Sequence, residues 1–276
     1  MKTLGTRALT ALVFVVVLLG SLLWNYYSFT IFFFLVAMMG LNEFYKLSEK
    51  LDAQPHKWFG LISGALVYIS FINFNFTNAT DQEHLKLFVV LVPFIIFSIA
   101  LFSGRTKPIQ NSVYTIAGIL YAVLPFALLH SIVSLDYLAS KIVIFQPQLL
   151  LGIILLIWSN DTFAYLGGSL FGKHKMIERI SPGKTWEGTI FGVLMTIASS
   201  YIVGELILQD RTSPWLLFGI LVPILSTIGD LVESLLKRQA GIKDTGNIMP
   251  GHGGILDRFD SLIFVAPFVY VILKLL

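Results

Sequence analysis

The feature that most constrains this chain is how its charges are spaced. They fall in clusters, and between the clusters run nine mostly apolar stretches: Ala8–Trp24, Phe29–Leu47, Trp58–Phe76, Leu85–Phe102, Val113–Leu135, Leu149–Phe171, Thr185–Leu208, Trp215–Leu236 and Leu256–Leu276. Each is close to the roughly 20 residues that a helix needs to cross a bilayer core. Charged residues make up 13% of the 276, about half of the roughly 25% in a soluble domain, and the mean hydropathy is +0.80. There is too little polar surface to cover a water-soluble sphere, which also excludes a disordered chain and a nucleic-acid binder. The sequence predicts an all-α polytopic integral membrane protein. With no cysteine, disulfides, thiolate zinc sites and cysteine nucleophiles are excluded. The first stretch follows Lys2 and Arg7 as a signal peptide would, but Trp24-Asn25-Tyr26-Tyr27 is bulky where a cleavage site wants small residues. It is read as a retained span.

The basic residues test the count. With the N-terminus inside and alternating spans, the inside segments hold Lys2, Arg7, Lys46, Lys50, Lys57, Arg105, Lys107, Lys173, Lys175, Arg179, Lys184, Lys237, Arg238, Lys243 and Arg258. The outside segments hold Lys86, Lys141, Arg211 and Lys274. Fifteen of the 19 basic residues therefore fall on one side. A miscounted span would scramble that bias, which follows the positive-inside rule. The expectation is nine transmembrane helices, N-in and C-out. Residues 1–140 would hold five membrane helices, and residues 141–276 a catalytic membrane domain of four spans with two cytoplasmic loops.

Intramembrane ionisable groups are costly and usually face a bundle interior or a watery cavity. In the first half the one such acid is Glu43, expected at the interface near Lys46. His56, His84, His130 and His174 are also expected to be interfacial, and Gly60-x-x-x-Gly64 fits close helix packing. The second half is richer. Asn160 and Asp161 lie in the sixth span, Glu187 opens the seventh, Asp230 and Glu233 lie near the inside end of the eighth, and Asp257, Arg258 and Asp260 open the ninth. On the predicted topology all of them lie toward the inside face. Asp230, Glu233 and Lys237 share one helical face, as do Asp257 and Asp260. Two carboxylate pairs on facing helices make an oxygen-rich site suited to Mg²⁺. The segment Lys237 to Gly254 adds Lys237, Arg238 and Lys243, with glycines whose backbone N–H groups can approach an anion closely. A second loop, Ser181-Pro182-Gly183-Lys184-Thr185-Trp186-Glu187-Gly188, brings another lysine to the same face; Glu178 stands where a Walker A loop needs glycine.

These segments are recognisable. Ser234-Leu235-Leu236-Lys237-Arg238, Lys243-Asp244, and Pro250-Gly251-His252-Gly253-Gly254-Ile255-Leu256-Asp257-Arg258-Phe259-Asp260 resemble the signature of the phosphatidate cytidylyltransferase (CDP-diacylglycerol synthase) family. Asn160-Asp161-Thr162-Phe163-Ala164-Tyr165 and the Ser181–Gly188 loop are similar to that family too, although its members commonly carry Lys where Gly183 stands. The resemblance covers the second half well; the first half matches only as generic apolar spans. It implies transfer of CMP from CTP to phosphatidate, giving CDP-diacylglycerol and pyrophosphate. It also implies a Mg²⁺ requirement with an accompanying K⁺, a homodimer, and an active site facing the cytoplasm from a bacterial inner membrane. Asp230, Asp257 and Asp260 would be metal ligands, with Lys237 and His252 completing the catalytic set. Asn160, Asp161, Ser181, Lys184, Thr185, Glu187, Glu233, Arg238, Lys243, Asp244, Gly253, Gly254 and Arg258 would line the substrate site.

The chemistry agrees with the residues. The nucleophile is a lipid phosphate, already ionised at neutral pH, so positioning and charge stabilisation carry the reaction. An ion-coupled transporter would place its carboxylates near the midplane and show related halves, whereas these acids lie to one side and in one half. A CTP-dependent lipid-alcohol kinase is the nearer alternative. The Asp-Gly-x-x-Ala-Arg motif of phospho-alcohol transferases is absent.

Overall fold

The computed structural model describes residues 4–72, 85–87, 89–136, 143–205, 215–248 and 253–275. In order come α1 (Leu4–Trp24), α2 (Tyr26–Glu49), α3 (Lys57–Ser70), α4 (Val92–Phe102), α5 (Pro108–Gly118), a π-helical stretch (Ile119–Val123) and α6 (Leu124–Ile132). The strands β1 (Ser134–Asp136) and β2 (Val143–Phe145) lead to α7 (Pro147–Phe171), then β3 (Lys175–Ile177), β4 (Ser181–Thr185), α8 (Trp186–Val203), α9 (Trp215–Gln239) and α10 (Leu256–Leu275). Five helices among the described residues are long and apolar enough to cross a membrane: α2, the continuous run Pro108–Ile132, α7, α8 and α9. Shorter apolar helices cover Ala8–Trp24, Lys57–Ser70 and Val92–Phe102. Large apolar side chains such as Leu9, Val16, Phe94, Leu101 and Leu194 are exposed, as helices facing lipid require. The helical class is as expected. The two antiparallel ribbons, β1 with β2 and β3 with β4, are additions that apolar periodicity could not register.

The chain divides into two compact units. One comprises residues 1–145 and 239–259, the other residues 146–238 and 260–276. In the first unit α2 is central. Asn25 caps it reciprocally with Ser28, and Phe29, Phe33, Ala37, Leu41 and Tyr45, spaced four apart, are wholly buried. That spacing puts all five on one stripe. A Cβ on Gly60 would meet the Tyr45 ring and hydroxyl, and one on Gly64 would meet Leu41 at 2.9 Å, so α3 approaches α2 through its small residues. The π-helical stretch ends just before Pro125, whose missing N–H and bulky ring break the regular ladder. Phe259 packs edge-on against Phe14, Phe33 and Phe126 at centroid distances of 5.6, 6.3 and 5.5 Å.

Two histidines depart from the interfacial expectation. His130 is fully buried among Tyr26, Phe29 and Tyr68, with Nδ1 3.2 Å from the Tyr26 hydroxyl. His56 is buried too, its backbone N–H donating to Thr115 Oγ1 at 2.8 Å. An aromatic pocket and a helix entry provided for each ring what hydropathy alone could not show. His174 is exposed, and His84 lies outside the described residues.

In the second unit, α7 and α8 meet along a seam of small residues. A Cβ on Gly188 would stand 2.7 Å from the Ala164 carbonyl and 2.8 Å from Gly168 Cα. On α9, a Cβ at Gly229 would stand 2.8 Å from the Asp260 carbonyl and 2.7 Å from Phe264 Cβ, and Ser226 donates to Ser261 Oγ at 3.0 Å. These approaches bring the polar ends of α7, α9 and α10 within reach of one another.

Candidate active site

Within the second unit, Asp230, Glu233 and Asp260 each offer a carboxylate oxygen, and the three atoms lie within 4.8 Å of one another. Asp230 and Glu233 stand one turn apart on α9, and the glycine-tight contact at Gly229 brings Asp260 of α10 alongside them. The Lys184 ammonium pairs with Asp230 Oδ2 at 2.6 Å, and Lys237, one turn after Glu233, pairs with that carboxylate. Asp161 of α7 is close enough to interact electrostatically with Asp230, Asp260 and Lys184, and Asn160 hydrogen-bonds to it. Four carboxylates gathered about two ammonium groups make an oxygen-rich, acid-rich cluster of the kind a divalent cation takes. Glu233 is 1% exposed, and a carboxylate so buried is retained only with strong partners.

The loop carrying Lys184 is an antiparallel hairpin. Lys175 pairs with Thr185 and Ile177 with Ser181, with an irregularity between the two pairs, and Lys175 Nζ donates to the Pro182 carbonyl at 2.7 Å. Thr185, expected at substrate, caps α8 by accepting from Gly188 N at 3.2 Å. Glu187, also expected there, accepts from the backbone of Lys173 and His174 and lies 2.5 Å from His174 Nδ1. Both side chains are engaged in holding the hairpin on its helices, since a helix start needs its N–H groups satisfied. Ser181 opens β4, and Arg238 Nε donates to the Ile180 carbonyl at 3.2 Å, fixing the far end of the hairpin to α9.

The first unit holds the rest of the signature. Lys243, Asp244 and Arg258 are exposed, while Thr245 and Gly254 are buried. Asp257 Oδ2 accepts from Thr245 N at 2.8 Å, Thr245 Oγ1 at 2.9 Å and Gly254 N at 2.7 Å. Its expected place was beside Asp230 and Asp260 as a metal ligand; the described carboxylate cluster is completed by Glu233, and this oxygen of Asp257 braces its own loop. Gly253 has φ +83 and faces Asp257, where a Cβ would stand 2.5 Å from Oδ2. His252 lies outside the described residues.

Glu43 is the residue that sequence reasoning misplaced. It is 3% exposed, accepting from Ile255 N and Leu256 N, each at 3.0 Å, with Thr245 Oγ1 lying 3.1 Å from its Oε2. An interfacial carboxylate would be solvated; this one is solvated by protein. Its sequence signal was its isolation as an acid in an apolar span, a costly placement that marks a specific partner.

Comparison with known proteins places these residues in context. Residues 5–276 match the family described as Cytidylyltransferase family. The chain is 32% identical over 272 residues to the phosphatidate cytidylyltransferase of Staphylococcus haemolyticus, covering 97% of this chain and 98% of the relative. The enzymes of the same name from Staphylococcus epidermidis and Staphylococcus aureus are 32% identical over 270 and 276 residues, again with 97% and 98% coverage. A match that runs through both halves, rather than the signature alone, means that the chain belongs to the cytidylyltransferase family.

Proposed function

We propose that this protein is a membrane-bound nucleotidyltransferase that moves CMP from CTP to phosphatidate, releasing pyrophosphate and leaving CDP-diacylglycerol in the bilayer. The observation that carries the reading is the cluster of Asp161, Asp230, Glu233 and Asp260 interleaved with Lys184 and Lys237, in a chain whose relatives bear that enzyme's name. A phosphate oxygen of phosphatidate forms the new bond to the α-phosphorus of CTP, and the α–β phosphoanhydride bond breaks. No general base is required, because the attacking oxygen is ionised at neutral pH.

Asp230, Glu233 and Asp260 have the donor set and spacing for Mg²⁺, a hard cation that takes oxygen ligands. When bound, such an ion neutralises charge building on the phosphates. Lys184 and Lys237 supply ammonium groups at the same cluster, and Lys243, Arg238, Arg258 and His252 are the further candidates for phosphate contact. An apolar groove of about 500 Å³, lined by Ile177, Trp186, Ile190, Leu194, Ile228 and Leu231, runs between α8 and α9. Its apolar side chains are of the kind that acyl chains of a lipid substrate would pack against.

The finer topology belongs to the same reading: nine spans, N-in and C-out, with the catalytic half at residues 141–276 and the site opening to the cytoplasm of a bacterial inner membrane, in a homodimer. The deciding experiment supplies purified protein with radiolabelled CTP and phosphatidate in detergent. Label should appear in CDP-diacylglycerol with equimolar pyrophosphate. Phosphorylation of diacylglycerol with release of free CDP would establish a kinase instead, and solute flux without CTP turnover a transporter.

A further inference from the structure

The chemistry above makes no use of Glu43, yet this carboxyl group is among the most heavily engaged in the first unit. It sits on α2, some two hundred residues before its partners, and accepts from two consecutive N–H groups at the start of α10 and stands 3.1 Å from the Thr245 hydroxyl. A helix start is a ready anion site, with outward N–H groups and a favourable dipole. Here the chain's own carboxylate occupies it. The glycines that flank the loop fit the same description. A Cβ on Gly246 would stand 2.4 Å from Glu43 Oε1, and one on Gly254 would stand 2.4 and 2.5 Å from the two Glu43 oxygens. No side chain has room at either position, so the carboxylate itself accounts for both glycines. The Thr245 hydroxyl lies between Glu43 Oε2 and Asp257 Oδ2. It has one proton, so it donates to one carboxylate at a time and bridges α2 to the first turn of α10.

The consequence is directional. Thr245 and Gly254 are buried, while Lys243, two residues before Thr245, and Arg258, four residues after Gly254, are exposed. We infer that Glu43 is a positioning residue for Lys243 and Arg258, acting through Thr245 and the first turn of α10 to hold those two side chains where nucleotide phosphates reach them. The inference rests on the nucleotidyl-transfer reading, which assigns those two side chains to phosphate.

Glu43→Gln keeps the volume but offers one acceptor oxygen and sets an NH₂ donor against a backbone N–H. In detergent with CTP and phosphatidate, the KM for CTP should rise at least about tenfold, the cost of losing one charge-assisted hydrogen bond. The Mg²⁺ concentration giving half-maximal rate should stay within about threefold, because Asp230 and Glu233 belong to α9 and Asp260 lies a full turn beyond the N–H groups that Glu43 holds. Thr245→Val should reproduce the KM effect, Thr245→Ser should restore it, and the double variant should be no worse than Glu43→Gln alone. Amide exchange in residues 243–256 should quicken in Glu43→Gln, a readout that needs no turnover. A wild-type KM and unchanged exchange in Glu43→Gln would overturn the inference; should that variant fail to accumulate, the same result for Thr245→Val would do so. Wild-type protein that makes no CDP-lipid would instead defeat the functional reading, and the exchange comparison would still test the anchor.

Discussion

Replacing Asp260 with Asn removes one charge from the carboxylate cluster and little else. The side chains are nearly isosteric, and the Asn carbonyl can keep the hydrogen bond that Ser261 N donates to Asp260 Oδ1 at 2.6 Å. What changes is that one anionic oxygen donor of the cluster becomes a neutral one. A divalent cation and one carboxylate about 4 Å apart attract by about 8 kcal/mol at an effective dielectric near 20. Desolvation takes back much of this, and the part that remains need be only about 3 kcal/mol to cost about 100-fold in rate. The fold should survive, since relieving crowded buried carboxylates is as apt to stabilise as to destabilise. The assay is CDP-diacylglycerol formation by purified variants across a Mg²⁺ titration, with folding judged by the thermal transition in detergent. Turnover should fall at least about 100-fold at low Mg²⁺ and recover in part as the ion is raised. A folded Asp260→Asn variant with the wild-type rate and Mg²⁺ curve would refute the metal assignment, even if the protein proves to be a cytidylyltransferase.

Asp257→Asn should also lose activity, at least about tenfold, because three donors converge on Oδ2; its Mg²⁺ curve should keep the wild-type midpoint, and a curve shifted like that of Asp260→Asn would return Asp257 to the metal site. Gly188→Ala, whose Cβ would press on the Ala164 carbonyl and Gly168 Cα, should destabilise the protein by about 1–3 kcal/mol, seen as a lower thermal midpoint; an unchanged midpoint would mean that the α7–α8 seam has slack. In the cysteine-free background, a cysteine at Lys50, which is exposed, should resist an impermeant maleimide added outside intact cells, while one at position 140 should react; the reverse pattern would invert the topology.

The sequence by itself determined the solvent of this protein and the chemistry it carries. Bilayer-length apolar runs required membrane helices, and acids at helix spacing near Lys184 and Lys237 pointed to a polar cluster before any contact was known. The same periodicity placed Asp230 and Glu233 on one face of α9, because a helix turns by a fixed angle per residue. Which carboxylates converge is another matter. Asp257 and Asp260 share a helix face, yet Asp260 joins Asp230 and Glu233 while Asp257 Oδ2 closes on Thr245 and Gly254. That choice is made by the approach at Gly229 and by the hydrogen bonds from Thr245 and Gly254, and neither is a local property. Thr185 and Glu187, expected at substrate, also accept backbone N–H bonds that hold the hairpin, a role their spacing did not show. Glu43 shows the limit most sharply. An acid in an apolar span announces that it must be satisfied, but its partners lie some two hundred residues onward, and only tertiary packing could bring the start of α10 to it.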